Sequence, residues 1–418
     1  MGESGKTYQI IVKKDTKDIF LQLVRFGIGL TESIEITDNV DWVQLKSMAD
    51  SQGLSAVVLD GIDVLGSQSS KLQENSTQNP SNSQPAIVSQ LSTLNPQLKL
   101  EWIGEVLQGE QTYKLQHEVA RDMGNLFHNN AIRTYVLKGD VIAECYPKPN
   151  HRVSVDVDCF LLPDKGEFDA WALGNDLIRA KHFDVKTDFY KNSTFDISGV
   201  VVENHQYLVP FRGNERLAEL EKVLEAMIQS DKGEDRFEGT WLYRPPVMVS
   251  ALFLIEHAYS HFLHEGLTWR MVLDWVLFKK KHEAEIHWGD FEALIDEYGF
   301  RKFYDVFNAL GQEAFGNDSS RILETFGTSE QVRASELANS TSKLAKLKKL
   351  MLEDIWASLD VHKTVRGLKG KLALAGNTWR ARWKYRYFTE TNWMKALWIQ
   401  AKGVMLEKNP KLNDKENH

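Results

Sequence analysis

Cysteine is almost missing from the sequence: Cys145 and Cys159 are the only two, too few for a disulfide framework or a four-thiolate zinc site. That scarcity suits a reducing compartment and makes the cytoplasm the expected location. Long hydrophobic runs are missing too. The longest, around Val247 to Ile255, is interrupted by Ser250 and stopped by Glu256, well short of the ~20 residues that a membrane helix needs. The first residues carry no apolar stretch of a secretory signal, so the expectation is a soluble, unanchored chain. Positive charge is in deficit, with 50 Lys and Arg against 58 Asp and Glu and a formal net charge of −8. Attraction of the whole surface to nucleic acid is thereby excluded, and any such partner needs a local basic patch. Gly2-Glu3-Ser4-Gly5-Lys6-Thr7 ends like a phosphate-cradling loop, but no earlier glycine and no strand precede it, so the match is read as chance.

What is present is a globular composition, 42% hydrophobic and 11% aromatic over 418 residues, a length that predicts two or three packed units with an aromatic core. Amphipathic periodicity predicts helices over 15–30 and from Asp41 to near Gly53, and a long one over 100–129. The Ser-, Gln-, Asn- and Pro-rich stretch 66–92 reads as a flexible loop. Between them and the C-terminal part the period changes. Segments 132–137, 153–162 and 199–209 read as strands, separated by helices over 140–145 and 167–181, which marks a small mixed α/β unit in a mostly helical chain. After Pro245-Pro246 helices are expected over 247–264, 268–282, 288–298, 301–315 and 329–359. The division is therefore 1–128 helical, 129–245 the mixed core and 246–418 helical.

The chemistry concentrates in that core. In Asp156-Val157-Asp158-Cys159, alternation along a strand puts both carboxylates on one face and turns Val155, Val157 and Cys159 to the interior. Two like charges so close repel unless a cation lies between them, and hard oxygen ligands at that spacing suit magnesium, which also accepts substrate phosphates. The bland alternative is a solvated strand end. Gly139 follows a strand and precedes a helix, where backbone amides face an anion, and Lys138 adds positive charge. A third acid, Glu203, interrupts the apolar run Val200-Val201-Val202 and shares a strand face with His205. Three carboxylates from two strands opposite a glycine turn are the parts of a two-metal phosphoryl-transfer site.

With Leu137-Lys138-Gly139, Tyr146-Pro147, Arg152, Asp156-Val157-Asp158, Glu203-Asn204-His205 and a later helix bearing His257, His261 and Asp274, the chain resembles the polymerase-beta-like nucleotidyltransferases, and more closely a bacterial branch of uncharacterised nucleotidyltransferases. The resemblance spans the Asp41-Trp42 helix to about Phe315. It implies an α+β fold, with a mixed β-sheet nucleotidyltransferase core flanked by N- and C-terminal helical regions. It also implies that Asp156, Asp158 and Glu203 are catalytic and bind two Mg²⁺ ions, and that the Gly139 turn holds the triphosphate of an NTP. Lys138, Gly139, Arg152 and His205 are the expected substrate-binding residues. The chain departs from the wider superfamily at Gly139-Asp140, where Gly-Ser is usual, and Asp140 reads as a helix cap. Seventeen residues separate Gly139 from Asp156 (156 − 139), a longer connection than usual.

Arg152 has two readings, a phosphate ligand or a partner of Asp156 or Asp158. His257, Ser260, His261 and His264 share a helix face. Ala258 stands where a metalloprotease requires Glu, so packed imidazoles rather than a zinc site are expected. Arg270 and Asp274, one turn apart, read as an ion pair. Residues 361–388 are basic and aromatic without a single Asp or Glu, either a surface for nucleic acid or an acidic membrane or a helix with a packed aromatic face and a solvated basic one. The expected activity is transfer of a nucleoside monophosphate from Mg-NTP to an unidentified acceptor; the alternative is an inactive nucleotide-binding or interaction protein on the same fold.

Overall fold

The computed structural model describes residues 15–31, 40–76, 93–187, 190–211, 214–316, 333–357, 379, 381–389 and 393–394. It divides into two compact units, 1–108 and 109–418.

In the first unit, helices α1 (Thr16–Gly27), α2 (Trp42–Ser51) and α3 (Ser55–Ser76) precede α4 (Pro96–His128), which continues into the second. Asp15 caps α1 by accepting from the amides of Lys17 and Asp18, and Ile19, Phe20, Leu23 and Val24 form its buried stripe. Two glycines bring α1 and α3 together: a side chain at Gly27 would sit 2.2 Å from the Val57 carbonyl, and one at Gly61 would sit 2.3 Å from that of Leu23. The loop expected over 66–92 is corrected here, because α3 continues to Ser76. Its Ser- and Gln-rich end has weak apolar periodicity but no breaker, so a helix already nucleated at Ser55 propagates through it. The rest of that stretch, 77–92, lies outside the described residues, as does 2–7.

The second unit is built on five strands, β1 (Ile132–Val136), β2 (Asp156–Pro163), β3 (Asn192–Ile197), β4 (Val200–His205) and β5 (Leu242–Tyr243), in the order β3-β4-β2-β1-β5. β1 runs antiparallel to β2 and parallel to β5, β2 runs parallel to β4, and β3 runs antiparallel to β4, so the sheet is mixed. Helices α5 (Asp140–Ala143), α6 (Ala170–Ala180) and α7 (Glu215–Ser230) connect the strands. With α8 (Val247–His264), α9 (Trp269–Lys281), α10 (Trp288–Glu297), α11 (Arg301–Phe315), α12 (Arg333–Ala357) and α13 (Arg382–Phe388) they complete an α+β architecture. The sequence pattern missed β3, β5 and α7: Asn192-Ser193-Thr194 is too polar to read as a strand and β5 has two residues.

One face of the sheet packs on α6. Gly174 lets that helix approach Leu161 so closely that a Cβ there would meet the leucine at 2.3 Å. A buried polar knot fastens the same face, with Asn175 Oδ1 accepting from Ser193 Oγ at 2.7 Å and from Asn204 Nδ2 at 2.9 Å. Trp269, Trp275, Phe278, Phe291 and Phe303 are fully buried among the helices that follow. No described helix is long and apolar enough to cross a membrane.

Of the basic aromatic stretch 361–388, residues 361–378 and 380 lie outside the described part. In α13, Tyr385 and Phe388 are buried; so is Lys384, which donates to the Phe262 carbonyl and pairs with Asp354, each at 2.7 Å. Arg382 and Arg386 are exposed, so the described helix has an aromatic face packed inward and a basic face in solvent.

Candidate active site

The register of the parallel β2–β4 pair sets the site. Asp156 stands opposite Val201, Asp158 opposite Glu203 and Phe160 opposite His205, and the two-residue period of each strand turns Asp156, Asp158, Glu203 and His205 to the same face. That face is opposite α6. The expectation for the interior holds for Val157 and Cys159, at 8% and 1% exposure, and fails for Val155, which is 75% exposed. The strand begins only at Asp156, so the alternation does not extend back to Val155.

Among the described residues, Asp158, Glu203 and His205 form a group whose ligand atoms lie within 4.8 Å of one another. Asp158 is at its centre and is 1% exposed. Its Oδ1 is 3.0 Å from His205 Nε2, which is also 3.5 Å from Glu203 Oε2. The other oxygen, Oδ2, is paired with Lys138 Nζ at 3.1 Å. Lys138 reaches Asp156 as well, at 3.8 Å, and so stands between the two aspartates. The charges of Lys138 and His205 hold the Asp158 carboxyl far below its ordinary range despite complete burial. A hydrogen bond from His205 likewise lowers Glu203. Asp156 moves the other way, raised by burial and by the neighbouring Asp158 charge. The ring of His205 meets acceptors at both edges, the Tyr207 carbonyl 3.3 Å from Nδ1 and the two carboxylates at Nε2.

The turn before this group comes from β1. Leu137 donates its amide to the Asp158 carbonyl, which carries the β1–β2 pairing up to Lys138. Gly139 then adopts φ 61 and ψ −108, a conformation that side chains disfavour, and caps the one-turn helix α5. Asp140 does not cap it. Gly139 holds the capping position, and the Asp140 carboxylate lies 3.1 Å from His117 Nδ1 on α4, raising the imidazole's pKa.

Arg152 joins neither Asp156 nor Asp158. Its Nε and Nη2 donate to the two oxygens of Asp274 at 2.9 Å each, and Tyr146 donates to the same carboxylate at 2.7 Å. A third bond, from Nη1 to the Gly139 carbonyl at 3.4 Å, ties this buried cluster to the glycine turn. Arg270 pairs with Asp274 as the i,i+4 spacing predicts, at 3.7 Å. The fold adds the distant Arg152, which holds the same carboxylate in two-pronged register. His257 stacks on Phe253 and meets His261 edge-on, and His264 hydrogen-bonds the Ser260 carbonyl, so these imidazoles are packed and bonded as expected. Glu221 on α7 was missed: it accepts from the amides of Leu208 and Val209 and pins the chain just past His205. No motif marks it, because its partners are backbone groups.

The donor set can be tested against a divalent cation. Asp158 Oδ2 is a buried ionised oxygen whose near partner is the flexible Lys138 ammonium, flanked by a second carboxylate on β4 and a third on its own strand. Oxygen donors of this kind suit a hard cation, and the partly exposed Asp156 and Glu203 leave a route from solvent. No curated protein and no solved structure matches the chain. A family model described as "Uncharacterised nucleotidyltransferase" matches residues 38–316. That match covers more than half of the sequence and contains every side chain of the site, and the chain therefore belongs to this nucleotidyltransferase family.

Proposed function

We propose that the protein transfers a nucleoside monophosphate from a magnesium-bound NTP to the hydroxyl of an acceptor, with release of pyrophosphate. The observation that carries this reading is the side-by-side register of Asp158 and Glu203, with Asp156 two residues before on the same face. These three carboxylates would hold two Mg²⁺ ions, which when bound supply charge neutralisation at the phosphates and a lowered pKa at the attacking hydroxyl.

The chain's own residues do the rest. Asp158 stays ionised through the charges of Lys138 and His205 and is ready to ligate at neutral pH. Glu203, also held ionised, completes the site on the β4 side, and the acceptor hydroxyl would lose its proton to solvent water as its oxygen bonds the α-phosphorus and pyrophosphate departs. Lys138 has the length and charge to follow phosphate oxygens out of its present position between the aspartates. The Gly139 turn lets backbone amides approach the triphosphate without a side chain intervening. His205 and Arg152 contribute by position. The first aligns the carboxylates, and the second anchors the turn through Gly139 and Asp274.

Incubation with MgCl₂ and each NTP, with released pyrophosphate as the readout, tests the reading. Asp158→Asn is expected to lower turnover at least about a hundredfold, the ~3 kcal/mol that a well-placed charge contributes to a transition state. Full turnover in Asp158→Asn would remove the site assignment, and nucleotide binding without turnover on any acceptor would favour the inactive alternative.

A further inference from the structure

One cation beside the site has no role in the scheme above. Asp274 Oδ1 already accepts from Tyr146 and from Arg152 Nε, and Oδ2 accepts from Arg152 Nη2. Arg270 is left 3.7 Å away, beyond hydrogen-bond reach, with its side chain only 21% exposed. Burial lowers its guanidinium pKa and the adjacent Arg152 charge adds to this, against the opposing charge of Asp274. Arg270 also lines a cavity of about 140 Å³ that extends from Asp156 and Lys138 to His257 and His261 on α8. A single water needs only ~10–15 Å³ on this measure, so a phosphate group fits.

We infer that this cavity is an oxyanion subsite in which the fork of Arg270, carried by the helical part of the chain, binds a phosphate group of a substrate. The inference rests on the nucleotidyltransferase reading for its substrate class, while the cavity and the underused guanidinium are independent of any catalytic step. Arg suits the task because its planar donors meet two phosphate oxygens at once. The phosphate belongs either to the tail of the NTP or to a phosphorylated acceptor.

The test is titration of the full chain with inorganic pyrophosphate in the absence of divalent cations, followed by ³¹P NMR or calorimetry. Saturable binding is expected, weakened at least about tenfold in Arg270→Gln and at least about threefold in Arg270→Lys, which keeps the charge but loses the fork. Absence of saturable binding, or wild-type affinity in Arg270→Gln, overturns the inference. If the glutamine variant does not fold, wild-type affinity in Arg270→Lys overturns it. ATP that displaces pyrophosphate identifies the NTP tail as the source, and ATP that binds alongside it identifies the acceptor. Pyrophosphate binding without nucleotidyl transfer would sink the proposed activity and leave the subsite, whereas transfer with an unaltered KM for both substrates in Arg270→Gln would do the reverse.

Discussion

Lys138 Nζ stands 3.1 Å from Asp158 Oδ2, inside the group of carboxylates proposed to hold divalent cations. The lysine thus neutralises the charge that an ion would otherwise neutralise, and it is itself raised in pKa by Asp158 and Asp156 against the opposing effect of burial. Lys138→Met should leave the buried Asp158 with His205 as its nearest cationic partner and lower stability by about 3–5 kcal/mol without added metal. Added MgCl₂ or MnCl₂ should then raise the melting temperature of the variant more than that of the wild type, because the ion no longer competes with an ammonium group. Thermal unfolding with and without the salts measures both effects; identical metal-induced shifts in the two proteins would show that Lys138 does not occupy the cation position.

The Gly139 turn offers a second test, in which strain and steric clash separate. A Cβ at Gly139 would come no nearer than 3.8 Å to Ser154 Oγ, so there is room for alanine, but φ 61 with ψ −108 is a backbone state that alanine adopts only with strain. Gly139→Ala is therefore expected to cost about 1–3 kcal/mol, through the backbone alone. NTP affinity should fall with it if relaxation of the turn withdraws the amides proposed to face the triphosphate. Urea unfolding together with nucleotide titration reads the two quantities, and an unchanged unfolding midpoint would contradict the strain argument.

The buried cluster around Asp274 makes a graded series. Tyr146→Phe removes one hydrogen bond to a carboxylate that keeps both bonds from Arg152, and should cost about 1–3 kcal/mol. Arg152→Met removes the two-pronged partner and also the link to the Gly139 carbonyl. It should cost about 3–5 kcal/mol, because Asp274 then retains only the distant Arg270 as a cation. The double variant should fall short of the sum, since both side chains serve the same carboxylate. Additive losses in a double-mutant cycle would indicate that the tyrosine and the arginine act separately.

How much of this was legible beforehand follows from the range of each interaction. The Asp156-x-Asp158 pair and Glu203-x-His205 could be read because a strand's two-residue period is local, and the register that sets Asp158 beside Glu203 agrees with it. The packed imidazoles of α8 were legible for the same reason. What alternation could not supply was where the strand begins, so Val155 was assigned to the interior although it projects into solvent. Nor could spacing foresee that Arg152 crosses to Asp274, 122 residues away, or that His117 engages Asp140 from another helix. Those pairings exist only after α4 and α9 have packed around the turn. The polar end of α3 has the composition of a loop, yet it continues a helix nucleated upstream.

The last expectation concerns Glu256, buried on α8 with only 2% exposure and facing Lys191, Glu221 and His205. Burial pushes its carboxyl up from 4.5 to about 7. The folded state therefore holds this proton more tightly than the unfolded chain, and the contribution of Glu256 to stability is full below about 4.5 and declines as pH rises towards 7. Across that window the loss is on the order of 3 kcal/mol. Asp158 and Asp274 act in the opposite sense, since their folded pKa values are lowered and their contribution is lost as pH falls below about 4. Glu256→Gln keeps the shape and hydrogen-bonding capacity of the protonated acid without its titration. It should match the wild type near pH 4.5 and exceed it in unfolding free energy at pH 8, flattening the alkaline side of the stability profile while leaving the acid limb unchanged. Urea unfolding of both proteins from pH 4 to 9 measures this, and parallel profiles would mean that Glu256 stays ionised in the fold.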